Sequence, residues 1–183
     1  TGMLARGKSK QHLEGLRKLQ EDSRKALKLV KARPPVFGKL PDNQLDTVPL
    51  LEVVHIVERH IVTFKPDAIY THWRSELNID HQVSYRAVVT ATRPFQSNVS
   101  SLYAFSVPEA TMYVPGNDFQ PNYYVDITKT LKIKIEAMNL YRTEQRQKPH
   151  VRSREGIETV ASYYGFMGGL EYAEPFHLLR QVN

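Results

Sequence analysis

From Gln11 to Ala32 the apolar residues Leu13, Leu16, Leu19, Leu27 and Val30 recur at helical spacing, and Arg33-Pro34-Pro35 stops the run. Val36-Phe37-Gly38 then reads as a short strand, with Leu40-Pro41-Asp42-Asn43 as the loop behind it. Thr47-Val48-Pro49 opens a second helix with a Thr cap and an early Pro, and this helix runs to about Phe64. Its apolar residues, from Leu50 and Leu51 through Val53, Val54, Ile56 and Val57 to Ile61 and Val62, cover most of its circumference. Such a helix is expected to pack tightly on a sheet. Lys65-Pro66-Asp67 ends it, and Ala68-Ile69-Tyr70-Thr71 follows as a strand of buried type. After a loop from His72 to Ile79, a third helix is predicted with Asp80 as its cap, reaching Arg93 before Pro94. Leu102 to Val107 and Tyr123 to Ile127 supply two more strands, and Thr128 to Tyr141 and Gly156 to Tyr164 two more helices.

This alternation predicts a three-layer, Rossmann-like α/β fold with a mainly parallel sheet. No internal repeat or low-complexity segment interrupts it, so residues 1–183 are read as a single domain. In open α/β sheets the ligand site lies beyond the carboxyl ends of the strands, which sets the loops Leu40 to Asp46 and His72 to His81 on one functional edge.

Composition narrows the chemistry. The 183 residues include no cysteine, so a disulfide framework, a zinc finger and a thiol nucleophile are excluded, and any metal must be held by His, Asp or Glu. No apolar run is long enough to span a bilayer, and Thr1-Gly2-Met3-Leu4-Ala5-Arg6 lacks the apolar centre of a secretion signal; a cytoplasmic protein is expected. The net charge of +6 raises nucleic acid as a partner, because clustered Lys and Arg neutralise phosphates. The excess lies mainly between Lys8 and Lys31 and between Lys129 and Lys148, where Glu14, Glu21, Asp22, Glu136 and Glu144 are interspersed. That pattern suits solvated helix faces, and a positive field also suits an anionic small substrate, so nucleic acid is not expected.

The polar residues of the two loops are the candidates for chemistry. Asn78-Ile79-Asp80-His81 stands at a helix N-terminus, where free N–H groups and the helix dipole disfavour a protonated imidazole. A neutral imidazole is what a metal requires. Asp80 either orients a neighbouring group or caps the helix. His72 and Arg74 follow a strand and suit an anionic substrate group, with a surface salt bridge as the plainer reading of Arg74. Asp46 suits sugar hydroxyls or the surroundings of a metal, and Asp42 either that or a turn. His55 and His60 fall on different faces of their helix and fail the spacing of a helical zinc pair.

Leu40-Pro41-Asp42-Asn43-Gln44-Leu45-Asp46, then Lys65-Pro66-Asp67-Ala68-Ile69-Tyr70-Thr71-His72, then Asp80-His81 with Ala87, Ala91 and Arg93-Pro94, is similar to the ordered motif series of the PIG-L/LmbE-like deacetylases. The closing Gly165-Phe166-Met167-Gly168-Gly169-Leu170-Glu171-Tyr172-Ala173-Glu174-Pro175-Phe176 resembles that family's C-terminal pattern. The resemblance implies a catalytic zinc, or another divalent metal in its place. In the family the metal is held by a His and an Asp of a His-Pro-Asp-Asp segment and by the His that matches His81. It implies that Asp80 supports the site or assists proton transfer.

Two positions depart from the family pattern. None of the seven histidines begins a His-Pro-Asp-Asp sequence, and Thr1-Gly2-Met3 resembles the end of the family's second strand. The expectation is that roughly 40 residues precede Thr1, on the scale of one strand-helix-strand unit of at least ~30 residues. Many relatives also carry a His three residues before the metal ligand, where this chain has Asn78; an amide there can donate a hydrogen bond to an oxyanion but supplies no proton.

The activity implied is metal-dependent N-deacetylation, a hydrolysis of a linear amide, on an N-acetylglucosamine-type sugar or sugar conjugate. The alternative is a non-catalytic carbohydrate-binding or interaction domain of the same fold. Whether the chain forms a homo-oligomer stays open.

Overall fold

The computed structural model describes residues 10–182. The resemblance of Thr1-Gly2-Met3 to a family strand therefore lies outside the described residues. Helices are α1 (Lys10–Leu29), α2 (Leu50–Phe64), α3 (Ile79–Ala91), α4 (Pro108–Thr111), α5 (Leu131–Asn139) and α6 (Arg154–Gly168). Strands are β1 (Ala68–His72), β2 (Ser101–Phe105), β3 (Tyr123–Asp126) and β4 (Ala173–Gln181), and a short 3-10 turn spans Leu45–Thr47. The described residues fall into two compact units, those in 41–124 and from 175 on, and those up to 40 and in 125–174.

The first unit holds β1, α3 and β2 as a strand-helix-strand segment, with β1 and β2 parallel and in register from Ala68↔Ser101 to His72↔Phe105. Four strands form one sheet in the order β1-β2-β4-β3. β4 runs antiparallel to β2, pairing Phe105 with Phe176 and Ala104 with His177. An irregularity between Leu102 and Tyr103 makes β2 pair with Arg180 and then with Leu178, so Leu179 is the extra residue of a bulge. The sheet is thus mixed, where a mainly parallel one is expected from the sequence. β4 escapes the sequence pattern because Pro175 and the charged Glu174 break the alternation that marks a strand.

Three further expectations are corrected in this unit. The helix after Thr47 begins only at Leu50 with Pro49 at its cap position, because residues 45–47 wind as a 3-10 turn and the Thr47 hydroxyl donates back to the Gln44 carbonyl at 2.7 Å. α2 packs on α3 and buries Val53 and Val54, yet Leu51 and Val62 stay 62% and 73% exposed, so it is not enclosed on most of its circumference. It ends as predicted at Lys65, whose left-handed φ of 46° lets its N–H reach the Ile61 carbonyl before Pro66. β1 is less buried than its composition suggests, since it lies at the end of the strand order and only Thr71 is buried.

In the second unit α1 packs on α5 and α5 on α6. Ile127, Leu131, Ile135 and Ala161 form the core, with Ile157 and Tyr172 against it. Val36-Phe37-Gly38 is not a strand: the segment is exposed, and the Arg24 guanidinium lies 5.1 Å from the Phe37 ring. The Ser153 hydroxyl caps α6 by accepting from the Gly156 N–H at 3.0 Å. At the other end Gly169 takes a φ of +70°, and the chain folds back so closely that a Cβ on Gly165 would meet the Glu171 carbonyl at 2.5 Å and that of Leu170 at 2.7 Å. A helix-interior Gly→Ala change otherwise favours the helix by about 1 kcal/mol, but overpacking against backbone costs ~1–3 kcal/mol. Gly165→Ala is therefore expected to lower the melting temperature by a few degrees, read by circular dichroism; an unchanged or raised midpoint contradicts the tight crossing.

Candidate functional site

The parallel register sets the carboxyl ends of β1 and β2 side by side, and the ladder continues one step as the Trp73 N–H donates to the Phe105 carbonyl at 2.8 Å. From there residues 73–77 lead to α3. The helix is capped by Asn78, whose side-chain oxygen accepts from the Asp80 N–H at 2.8 Å, so the cap is Asn78 and not Asp80 as the sequence suggests. Asp80 is left to face another segment. Its two carboxylate oxygens accept from the backbone N–H of Asn43 at 2.6 Å and of Leu45 at 2.9 Å, fastening the loop before α2 to the start of α3.

His81 lies on the first turn of α3. Its ring stacks on His72, with centroids 3.9 Å apart and planes 15° from parallel, and His72 in turn meets Phe105 at 4.8 Å. The Nδ1 atom of His81 is bonded to the carboxylate of Glu76, a residue 2% exposed. The other oxygen of Glu76 accepts from the Val107 N–H at 3.0 Å and the Thr111 hydroxyl at 2.9 Å. Burial, then the neighbouring His81, pushes His72 down from 6.5 to about 4, against the opposing pull of Glu76. His72 is neutral at neutral pH.

Arg74 turns to a different partner. Its guanidinium lies 4.9 Å from the Trp73 ring and donates to Asp118 at 2.5 and 3.2 Å, while the buried Trp73 indole donates to the other Asp118 oxygen at 2.8 Å. The hydrogen bond from Arg74, followed by that from Trp73, holds Asp118 below the usual carboxylate range. Asp46 is exposed in the 3-10 turn, next to the Leu45 that Asp80 binds, on a depression of about 460 Å³ shared with Thr47, Pro49 and Arg86.

The structure therefore gathers His72, Asn78, Asp80 and His81 into one cluster, brings Asp46 to its border, and pairs Arg74 with Asp118. Glu76 is the member the sequence reading misses. The available signal was an acidic residue five before the candidate metal ligand, but a loop Glu is ordinarily solvated, and nothing local marks this one as buried.

As a metal site the cluster supplies one good donor. With Nδ1 occupied by Glu76, Nε2 is the nitrogen His81 can turn to an ion, the arrangement of a metal-binding His with a carboxylate behind it. Among the described residues no three His, Asp or Glu side chains converge as a set able to hold a metal. His81 fits as one ligand of a site, not as a whole one.

A family model of the GlcNAc-PI de-N-acetylases, PIG-L, matches residues 2–92. The N,N'-diacetylchitobiose deacetylase from Pyrococcus horikoshii, solved with its inhibitor MPG, superposes with a TM-score of 0.76 at 18% identity, covering 97% of this chain and 69% of that one. The pseudoaglycone deacetylase of an antimicrobial reagent gives a TM-score of 0.67 at 15% identity, over 91% of this chain and 72% of that one. A teicoplanin deacetylase, solved in a zinc-inhibited form, gives 0.63 at 14% identity, over 93% and 76%. The chain has the α/β fold of these proteins.

The depressed His72 gives a pH prediction. Folding favours the neutral ring, so the stabilisation is complete above the unfolded value of 6.5 and is lost as pH falls toward about 4. The loss is at most on the order of 3 kcal/mol, taking one pKa unit as ~1.4 kcal/mol. His72→Gln should flatten the acid limb of the unfolding midpoint between these values; an identical limb in both proteins contradicts the assignment.

Proposed function

Over residues 2–92 the chain belongs to the PIG-L family, and on that premise we propose that it is a zinc-dependent N-deacetylase acting on an N-acetylglucosamine-type sugar or sugar conjugate. The observation that carries this reading is His81, on the first turn of α3, with its Nδ1 backed by a buried carboxylate. Zinc, when bound, activates water and polarises the amide carbonyl. His81 would hold it through Nε2, the nitrogen not taken by Glu76. Asn78 keeps its side-chain oxygen on the Asp80 N–H, which leaves its NH2 group as the donor for an oxygen that gains charge as the amide is attacked. Asp80 keeps the loop at Asn43 and Leu45 in place. His72, neutral and stacked, excludes water from one face of His81. Arg74 and Asp46 contact the sugar or its conjugate from the two borders. The overall hydrolysis would add water to the acetyl carbon and break the C–N bond, one water proton passing to the leaving nitrogen, to give acetic acid, ionised to acetate, and a free amine.

A second reading, a carbohydrate-binding or interaction domain without turnover, is favoured by one feature: Asn78 and Asp80 are both committed to backbone hydrogen bonds. Amine release from N-acetylglucosamine conjugates in the presence of zinc separates the two. The deacetylase reading expects turnover that falls at least ~100-fold in kcat/KM in His81→Ala. Saturable sugar binding with no amine released, or full activity in His81→Ala, overturns it.

A further inference from the structure

We infer that Glu76 is a positioning residue of this centre: it decides which nitrogen of His81 carries the proton and ties that ring to the turn that follows β2. The inference rests on the reading of His81 as a metal ligand and adds how the ligand is held.

The side chain of Glu76 is wholly buried. A carboxylate offers only lone pairs. Oε1 spends its own on the Val107 N–H and the Thr111 hydroxyl, and Oε2 faces His81 Nδ1. The only neutral His81 that makes this last hydrogen bond carries its proton on Nδ1, which leaves the lone pair on Nε2. The opposite tautomer would set two lone pairs against each other in a dry site. The ring is fixed on a second side by the stack with His72.

The anchor of Glu76 is remote in sequence. Thr111 is 1% exposed and closes α4, and the Leu77 N–H donates to the Ala110 carbonyl at 3.0 Å, so the segment carrying Glu76 is stitched to α4 by backbone and side chain. Gln82, the next residue after His81, donates its side-chain N–H to the Glu76 carbonyl at 2.5 Å. The ligand and its holder are thus fixed relative to each other from both directions. A buried charge is unfavourable to the fold unless fully paired, and here each oxygen of the pair meets a donor.

Glu76→Gln tests this without changing shape. Its Oε1 can still accept from Val107 and Thr111, while its NH2 faces His81 and donates to Nδ1, moving the ring proton to Nε2. In the metal-free protein at about pH 8, where free His is neutral, long-range 1H–15N correlation should show His81 protonated on Nδ1 in wild type and on Nε2 in Glu76→Gln. Competition with a chromophoric chelator should show zinc bound ~10–100-fold more weakly by the variant. A wild-type ring protonated on Nε2 or on both nitrogens, or a variant with unchanged tautomer and zinc affinity within about twofold, overturns the inference. The wild-type spectrum alone decides it if Glu76→Gln does not fold. Zinc affinity unchanged in His81→Ala would instead remove the ligand reading and leave the tautomer measurement to judge Glu76.

Discussion

The hydrogen-bonding of the Glu76 carboxylate is the constraint on which the arrangement around His81 depends. A carboxylate taken out of water must find donors for its lone pairs, and the donors here come from two strand-to-helix junctions. Val107 caps and Thr111 closes α4, the short helix after β2, and His81 belongs to the helix after β1. Those junctions meet only because β1 and β2 are parallel and in register, so that His72 stands beside Phe105 at their carboxyl ends. Move either strand by one residue and the carboxylate loses donors while the imidazole loses its support.

Asp80 shows the same chemistry put to another use. It is as close to His81 in sequence as a side chain can be, yet both of its oxygens answer backbone N–H groups of the loop before α2. Asn43 in that loop takes a left-handed φ of 56°, a conformation Asn adopts more readily than most residues. With Asn78 capping α3, the polar residues of the motif divide their work: one closes the helix end, one holds a loop, and one pairs with the buried Glu76.

Much of the fold was legible because it follows local periodicity. α1, α2, α3, α5 and α6 and three of the four strands fall within a few residues of the patterns that predict them. β4 was not, since Pro175 hides a strand whose partner lies some seventy residues earlier in the chain, from Phe105 to Phe176. Val36-Phe37 has strand-like residues but no pairing in the sheet. The site divides in the same way. His72, Asn78, Asp80 and His81 stand out through their spacing and motif order. Glu76 does not, because what makes it unusual is its burial against Val107 and Thr111, contacts that no window of neighbouring residues contains. Asp80 was expected to cap α3 and Asn78 does so, because both are good cap residues and their order along the chain does not decide between them.

The bulge at Leu179 divides β4 into two stretches of opposite parity. Toward Phe176 the strand presents alternate side chains in one phase, and toward Gln181 in the other. It is this change of phase that allows His177 to pack at 5.0 Å from Trp73 and donate from Nδ1 to the Gln120 carbonyl at 2.6 Å, while Arg180 still reaches the Thr92 carbonyl at 2.5 Å. The strand thus serves two neighbours whose demands a regular ladder would set in conflict. Insertions and deletions in β4 are accordingly not equivalent to substitutions: a change of one in its length inverts which residues the Trp73 side receives.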